Sequence, residues 1–311
     1  MGRPRFGVQV RGRLGSLERR ACTDACTDGD ALRPINDGSG GYRLGGYGEL
    51  PVPQPLRSFA EVGWTYARPA SDPTAAIPGL GHRVLPETGV SLSFFCYRDA
   101  RGRVEEPVPT LIGPHRSVHF FAPDAGFHIE AVRLKSEWCR SLLGIDPAEH
   151  ADTLDPFPQA LARRFPRLRD RLARTRNSLE AVGLLWEVVA DRAQPVVLAR
   201  SCRLAHAVLD PVRRTPESPL DLADRSAALG VTERHLRRVI RETTGRGPKY
   251  FQRVRRLHYA VSLAEATPSC DWAALAARAG YYDQAHLIHE FTELTGVTPA
   301  QLRSERQAQQ R

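Results

Sequence analysis

The densest reactive chemistry in this sequence lies in "VTERHLRRVIRE", where Arg234, His235, Arg237, Arg238 and Arg241 fall within eight residues. An arginine fork can bond O6 and N7 of a guanine edge or grip a phosphate. Helical spacing sets Arg234, Arg237, Arg238 and Arg241 on one face, with Thr232 as the N-cap and Leu236, Val239 and Ile240 on the opposite face. A second segment, "DQAHLIHEFTELTG", repeats the plan with other residues. His286, Leu287, Phe291, Gly296 and Pro299 stand 51 positions after His235, Leu236, Ile240, Gly245 and Pro248. Gly230 and Gly280 also correspond, one residue out of step. The outward positions of the second segment are Gln284, Ala285, His286, Ile288 and His289. A unit written only twice is one supersecondary element used two times, not a solenoid.

Other candidate chemistry is thinner. The stretch "GPHRSVHFFAPDAGFHIE" holds His115, His119 and His128 beside β-rich sequence, so a cupin-like metal-binding β-barrel protein or enzyme is the rival reading. It lacks the paired H-x-H and a carboxylate at the usual offset, and histidines more often serve as hydrogen-bonded structural groups. No G-x-S-x-G elbow, Walker A loop or Rossmann glycine pattern occurs, so no catalytic residue, metal or cofactor is expected. Six cysteines (Cys22, Cys26, Cys96, Cys139, Cys202, Cys270) form no CxxC pair and read as free thiols.

At 311 residues the chain can hold two domains, and its net charge of +9, carried by arginine, favours a polyanionic partner. No run of eighteen apolar residues and no signal-peptide core are present, so a cytoplasmic protein without membrane association is expected.

The elements that would position these residues follow from the patterning. Residues 1–50 are rich in Gly and Arg without sustained period and read as a disordered basic extension. Residues 51–194 read as a β-rich sensor or dimerisation domain with C-terminal helices. Its strands are "SFAEVGWTYARP", "HRVLP", "VSLSFFCYRD", "PVPTLIG", "SVHFFA" and "FHIEAVRL". In "SLSFFCY" neither face is very polar, so one side is expected to line a cavity. Leu179, Val182, Leu185, Trp186 and Val189 make a helical stripe expected to dock on that sheet. After a break at Gln194 and Pro195, residues 195–304 read as all-α, with helix, Gly turn and basic helix as in a helix-turn-helix. Residues 305–311 read as a tail. The fold class is therefore α+β with two domains: a β-rich barrel or sheet with helices, then an all-α domain with two helix-turn-helix units.

The stretch from about 196 to 304 resembles the DNA-binding domain of AraC/XylS-type bacterial transcription regulators, through "GVTERHLRRVIRETTGRGPKYFQRVRRLHYA" and "AGYYDQAHLIHEFTELTGVTPAQLR". The resemblance implies seven helices, with two units reading successive major-groove segments of double-stranded DNA. It implies contacts from Thr232, Arg234, His235, Arg237 and Arg238 in unit one and from Gln284, Ala285, His286, Ile288 and His289 in unit two; Arg241 joins them by its periodicity. The front half resembles, more weakly, the sensor or dimerisation domains that accompany this domain. A small-molecule effector, a second copy of the chain and RNA polymerase are the further partners implied. Arg225 and Ser226 depart from the Leu-Ala common in such regulators, and His289 stands where arginine is usual. Residues 230–256 carry nine Lys/Arg against two Glu, a local +7, whereas 265–296 carry Arg278 against five carboxylates, a local −4. Unit one is therefore expected to dominate binding, with His286 or His289 adding phosphate affinity as pH falls.

Overall fold

The computed structural model describes residues 46–68, 82–99, 101–121, 126–157, 159–193, 199–267 and 271–308. The Gln194-Pro195 break, Cys22, Cys26, Cys270 and nearly all of the basic extension lie outside these residues. All six expected β segments form strands: β2 (Ala60–Ala67), β3 (His82–Val84), β4 (Val90–Arg98), β5 (Val104–Ile112), β6 (His119–Phe121) and β7 (Phe127–Leu134). β1 (Tyr47–Leu50) and β8 (Leu154–Pro156) complete an antiparallel sheet of order β1-β2-β7-β4-β5-β8, with β3 and β6 paired separately. β1 falls inside the stretch read as an extension; four residues interrupted by Gly48 are too few to show a period, and pairing with β2 supplies the missing order.

Period-two alternation divides β4 between two cores. Leu92, Phe94 and Cys96 join Trp138, Leu142, Val182 and Leu185 on the helical side. Phe95 and Tyr97 join Trp64, Tyr66, Phe127 and Ile129 on the other side. This second face lines a narrow cavity of about 90 Å³, as the weakly polar alternation suggested. Among the described residues the front half contributes four α-helices: α1 (Cys139–Leu143), α2 (Gln159–Arg164), α3 (Leu168–Leu172) and α4 (Ser178–Ala193). The stripe of α4 packs on the sheet through Val182, Leu185, Trp186 and Val189, while Leu179 in its first turn stays 49% exposed.

Seven helices follow in the described C-terminal residues: α5 (Arg200–Arg214), α6 (Leu222–Ala228), α7 (Glu233–Thr244), α8 (Pro248–Ala266), α9 (Trp272–Arg278), α10 (Gln284–Thr295) and α11 (Pro299–Ala308). The last runs past residue 304 into the stretch read as a tail, where Glu305 accepts two hydrogen bonds from Arg83. α8 starts with Pro248 at N1, where a missing N–H costs nothing, and runs through both units. Its Phe251 packs with Leu236, Val239 and Ile240 of unit one. Its Leu257, Ala260 and Val261 pack with Leu275, Leu287 and Phe291 of unit two.

The two halves meet through buried charge. Arg213 of α5 donates to both oxygens of Glu137, each at 2.6 Å, and to Glu61 at 2.7 Å. Arg255 of α8 reaches the other oxygen of Glu61 at 3.0 Å, Lys135 pairs with Asp210 at 2.9 Å, and Arg246 pairs with Asp152 at 2.8 Å.

Candidate nucleic-acid interface

Unit one is assembled by short-range hydrogen bonds that the sequence specifies. Asp221 caps α6 by accepting from the N–H groups of Ala223 and Asp224. Ser226 is buried, and its hydroxyl donates to the Ala223 carbonyl at 2.9 Å, so the departure from Leu-Ala leaves no unpaired polar group. Gly230 takes φ 63°, a left-handed conformation that a side chain disfavours, and the Val231 N–H returns to the Ser226 carbonyl. Thr232 Oγ1 then accepts from the His235 N–H at 3.2 Å and starts α7. Gly245 ends α7 at φ 72°.

The helix so fixed buries Leu236, Val239 and Ile240 and leaves Arg234, Arg237, Arg238 and Arg241 exposed, with His235 half-buried. Thr232 and these five side chains line one shallow surface. They are not equivalent. Arg237 pairs with Glu233 at 3.0 Å, and Arg238 pairs with Glu242 at 2.9 Å while donating to His235 Nδ1. Arg234 and Arg241 make no ion pair among the described residues. Exposed pairs of this type are worth only about 0.3–0.5 kcal/mol, so Arg237 and Arg238 can exchange them for a phosphate or a base at little cost.

Unit two repeats this architecture almost bond for bond. Asp271 caps α9 and Asp283 caps α10, accepting from the His286 N–H at 2.7 Å; Gly296 closes α10 at φ 74°. Both recognition helices have twelve residues, so the 51-residue offset holds along their whole length. The preceding helices, Leu222–Ala228 and Trp272–Arg278, are offset by 50. The additional residue in the second turn is Tyr282, because the Tyr281 N–H bonds the Ala276 carbonyl as Val231 bonds Ser226. Tyr282 is 91% exposed.

Gln284, Ala285, Ile288 and His289 are exposed on α10 as expected. His286 differs. Its Nδ1 accepts from the Tyr282 N–H at 3.2 Å and its Nε2 lies 3.2 Å from Glu290, so both nitrogens are engaged inside the unit. Arg253 of α8 pairs with Glu290 at 3.0 Å and Glu293 at 2.6 Å, offsetting part of the unit's negative charge from the helix's inner side.

The rival metal site is not favoured. Both ring nitrogens of His115 face backbone carbonyls, Gly113 at 3.3 Å and Leu85 at 2.8 Å. Burial, with the neighbouring His115, pushes His119 down to about 4; burial, with Arg98, does the same to His128. Among the described residues no three His, Cys, Asp or Glu side chains are grouped to hold a metal ion.

Two capped helix pairs joined by α8, each with an exposed second helix, define a double helix-turn-helix protein. The helix-turn-helix domain family matches residues 225–305, and by that match the C-terminal part of the chain belongs to the AraC/XylS-type helix-turn-helix domains. That domain supports DNA-binding transcription regulation as the class of function. No curated relative matches the chain. Among solved structures, the C-terminal domain of AraT, a response regulator from Geobacillus stearothermophilus, is 24% identical, with 35% of this chain and 89% of that chain covered at a TM-score of 0.32. The DNA-binding domain of AdpA in complex with a target DNA is 25% identical, covering 34% of this chain and 93% of that one at a TM-score of 0.31. ToxT from Vibrio cholerae O395 is 11% identical, covering 80% and 98% at a TM-score of 0.39. Among the described residues no helix is long and apolar enough to cross a membrane.

Sequence reasoning missed Tyr282 as an inserted residue, although the slip from 51 to 50 marked its position. It also missed the internal engagement of His286, which depends on a turn conformation that no periodicity reports.

Proposed function

We propose that Thr232, Arg234, His235, Arg237, Arg238 and Arg241 form the principal DNA contact, with Gln284, Ala285, Ile288 and His289 as a second contact and His286 as a group that positions α10. The observation carrying this reading is a recognition-helix face with four exposed arginines, two of them without an ion pair among the described residues. In this reading the protein is a non-catalytic cytoplasmic regulator, divided near residue 195. The test is fluorescence anisotropy of full-length protein on DNA enriched by cyclic selection. Alanine at Arg234 and Arg241 together should weaken binding at least tenfold. Unchanged affinity would remove α7 from the interface.

The front half supplies the response to a small-molecule effector. Its cavity is lined by Tyr47, Trp64, Tyr66 and Phe95 and bounded by Glu87 and Arg133, which pair at 2.9 Å. Burial alone would raise Glu87, but Arg133, His258 and Arg255 outweigh it and hold the carboxyl well below the usual range. His258 belongs to α8 and lies 3.7 Å from Glu87, so a molecule displacing that carboxylate would be felt by the helix joining the two units. A second copy of the chain and RNA polymerase complete the set of partners. A thermal-shift screen with matched DNA-binding curves would test the effector route, since a ligand that stabilises the protein must change its DNA affinity or refute the coupling.

A further inference from the structure

Resting on the reading of both recognition helices as DNA contacts, we propose that the two units recognise different chemistry. Unit one takes guanine edges and phosphates. Unit two takes thymine methyl groups and an adenine edge.

The shared 51-residue register carries the inference, because it states what replaced each cation. Ala285 stands in the place of Arg234, Ile288 of Arg237, His289 of Arg238 and Thr292 of Arg241. Gln284 replaces Glu233. The substitution is systematic on the outward face, while the inward face changes type at one position: Leu236 is matched by Leu287 and Ile240 by Phe291, all buried, whereas Val239 is matched by the buried Glu290, which pairs with Arg253 of α8. Helix α10 contains no lysine or arginine, and its two carboxylates, Glu293 and the buried Glu290, are both paired with Arg253 of α8. Phosphate attraction to this helix is therefore weak, and direct contact with base edges carries more of its hold on a groove. Alanine, the threonine methyl and the isoleucine side chain suit the thymine 5-methyl group, and a glutamine amide suits N6 and N7 of adenine. Ile288 is 37% exposed, an apolar surface without a cover among the described residues. The inserted Tyr282, beside the N-cap of α10, extends this apolar edge by one ring.

The experiment uses full-length protein and DNA obtained by cyclic selection. Each thymine is replaced in turn by uracil, which removes only the methyl group, and each guanine by 7-deazaguanine, which removes only the N7 acceptor. Affinity is read by fluorescence anisotropy at two salt concentrations. Uracil at the unit-two positions should weaken binding about fourfold per methyl, the factor given by ~0.8 kcal/mol for a buried methyl-sized group. Ile288→Ala should abolish that sensitivity at one thymine and leave the salt dependence unchanged. Arg234→Ala should abolish a deazaguanine effect elsewhere in the site and leave the uracil effects intact. The proposal is overturned if selected DNA binds well but uracil is silent at every position, or if Ile288→Ala removes the uracil effect at none of them. Should selection enrich no sequence at all, the DNA-contact reading beneath the proposal fails with it.

Discussion

Replacing Arg213 by methionine tests the account of how the two halves are held together. The Arg213 side chain is 6% exposed, makes three charge-assisted hydrogen bonds to Glu137 and Glu61, and lies over the Phe251 ring at 4.8 Å. Methionine keeps most of the packing volume but leaves Glu137, whose side chain is 0% exposed, without its principal counter-charge. Breaking a buried pair from one side costs about 3–5 kcal/mol. An independent route gives a similar figure. Burial would raise Glu137, but Arg213 and His206 bring it from 4.5 down to about 2. At ~1.4 kcal/mol per pH unit, that depression corresponds to about 3 kcal/mol. Because the folded value lies below the unfolded one, the stabilisation is complete above about pH 4.5 and is lost as pH falls toward 2. Urea unfolding followed by tryptophan fluorescence and circular dichroism should show the variant about 3–5 kcal/mol less stable at pH 7. By pH 3 the contribution from Glu137 should shrink to about 1 kcal/mol. A loss below about 1 kcal/mol at pH 7, or a difference that widens with acid, would refute the reasoning.

Other consequences can be measured separately. Arg241→Ala should lower the slope of log affinity against log salt by about 1 if its partner is a phosphate, whereas a base-edge contact would cost about 1–3 kcal/mol and relax preference at one position. Gly245→Ala should destabilise more than Gly296→Ala in thermal melts. Both carry positive φ, but a Cβ at 245 would meet the Ala148 Cα at 2.9 Å, whereas the nearest atom to one at 296 is an Arg83 side-chain nitrogen at 3.9 Å. A fragment spanning 199–308 should retain DNA binding by anisotropy yet melt below the intact chain, because Arg213, Arg246 and Arg255 lose Glu137, Asp152 and Glu61. A fragment that melts cooperatively without DNA affinity would place an essential contact in the front half.

Much of the DNA-binding architecture was legible because its signals are local. Thr232 and Asp283 are caps within three residues of the N–H groups they satisfy, and Gly245 and Gly296 mark left-handed helix ends. The strands were legible through period-two runs such as Leu92, Phe94 and Cys96. The interface between the halves was not legible. Arg213 and Glu137 are 76 residues apart, and Arg255 and Glu61 are 194 apart. Such pairs follow no period and depend on how whole elements dock. His286 was read as an outward contact position from its spacing on α10 and from the family resemblance; the hydrogen bond that its Nδ1 accepts from the Tyr282 amide depends on one inserted residue and follows no period.

Helix α8 belongs to three bodies at once. Phe251 is part of the first unit's core, Leu257 and Val261 are part of the second, and Arg255 and His258 are held by the front half at Glu61 and Pro86. A rigid rod gripped at three places cannot turn for one without turning for the others. Any opening that exposes its inner amides must disrupt several cores together. Those amides should therefore be among the slowest in the molecule to exchange with deuterium, while the caps of α7 and α10 exchange early. The angular setting between the two recognition helices is then carried by one shaft, and a torque applied to it by the front half would reach both grooves simultaneously.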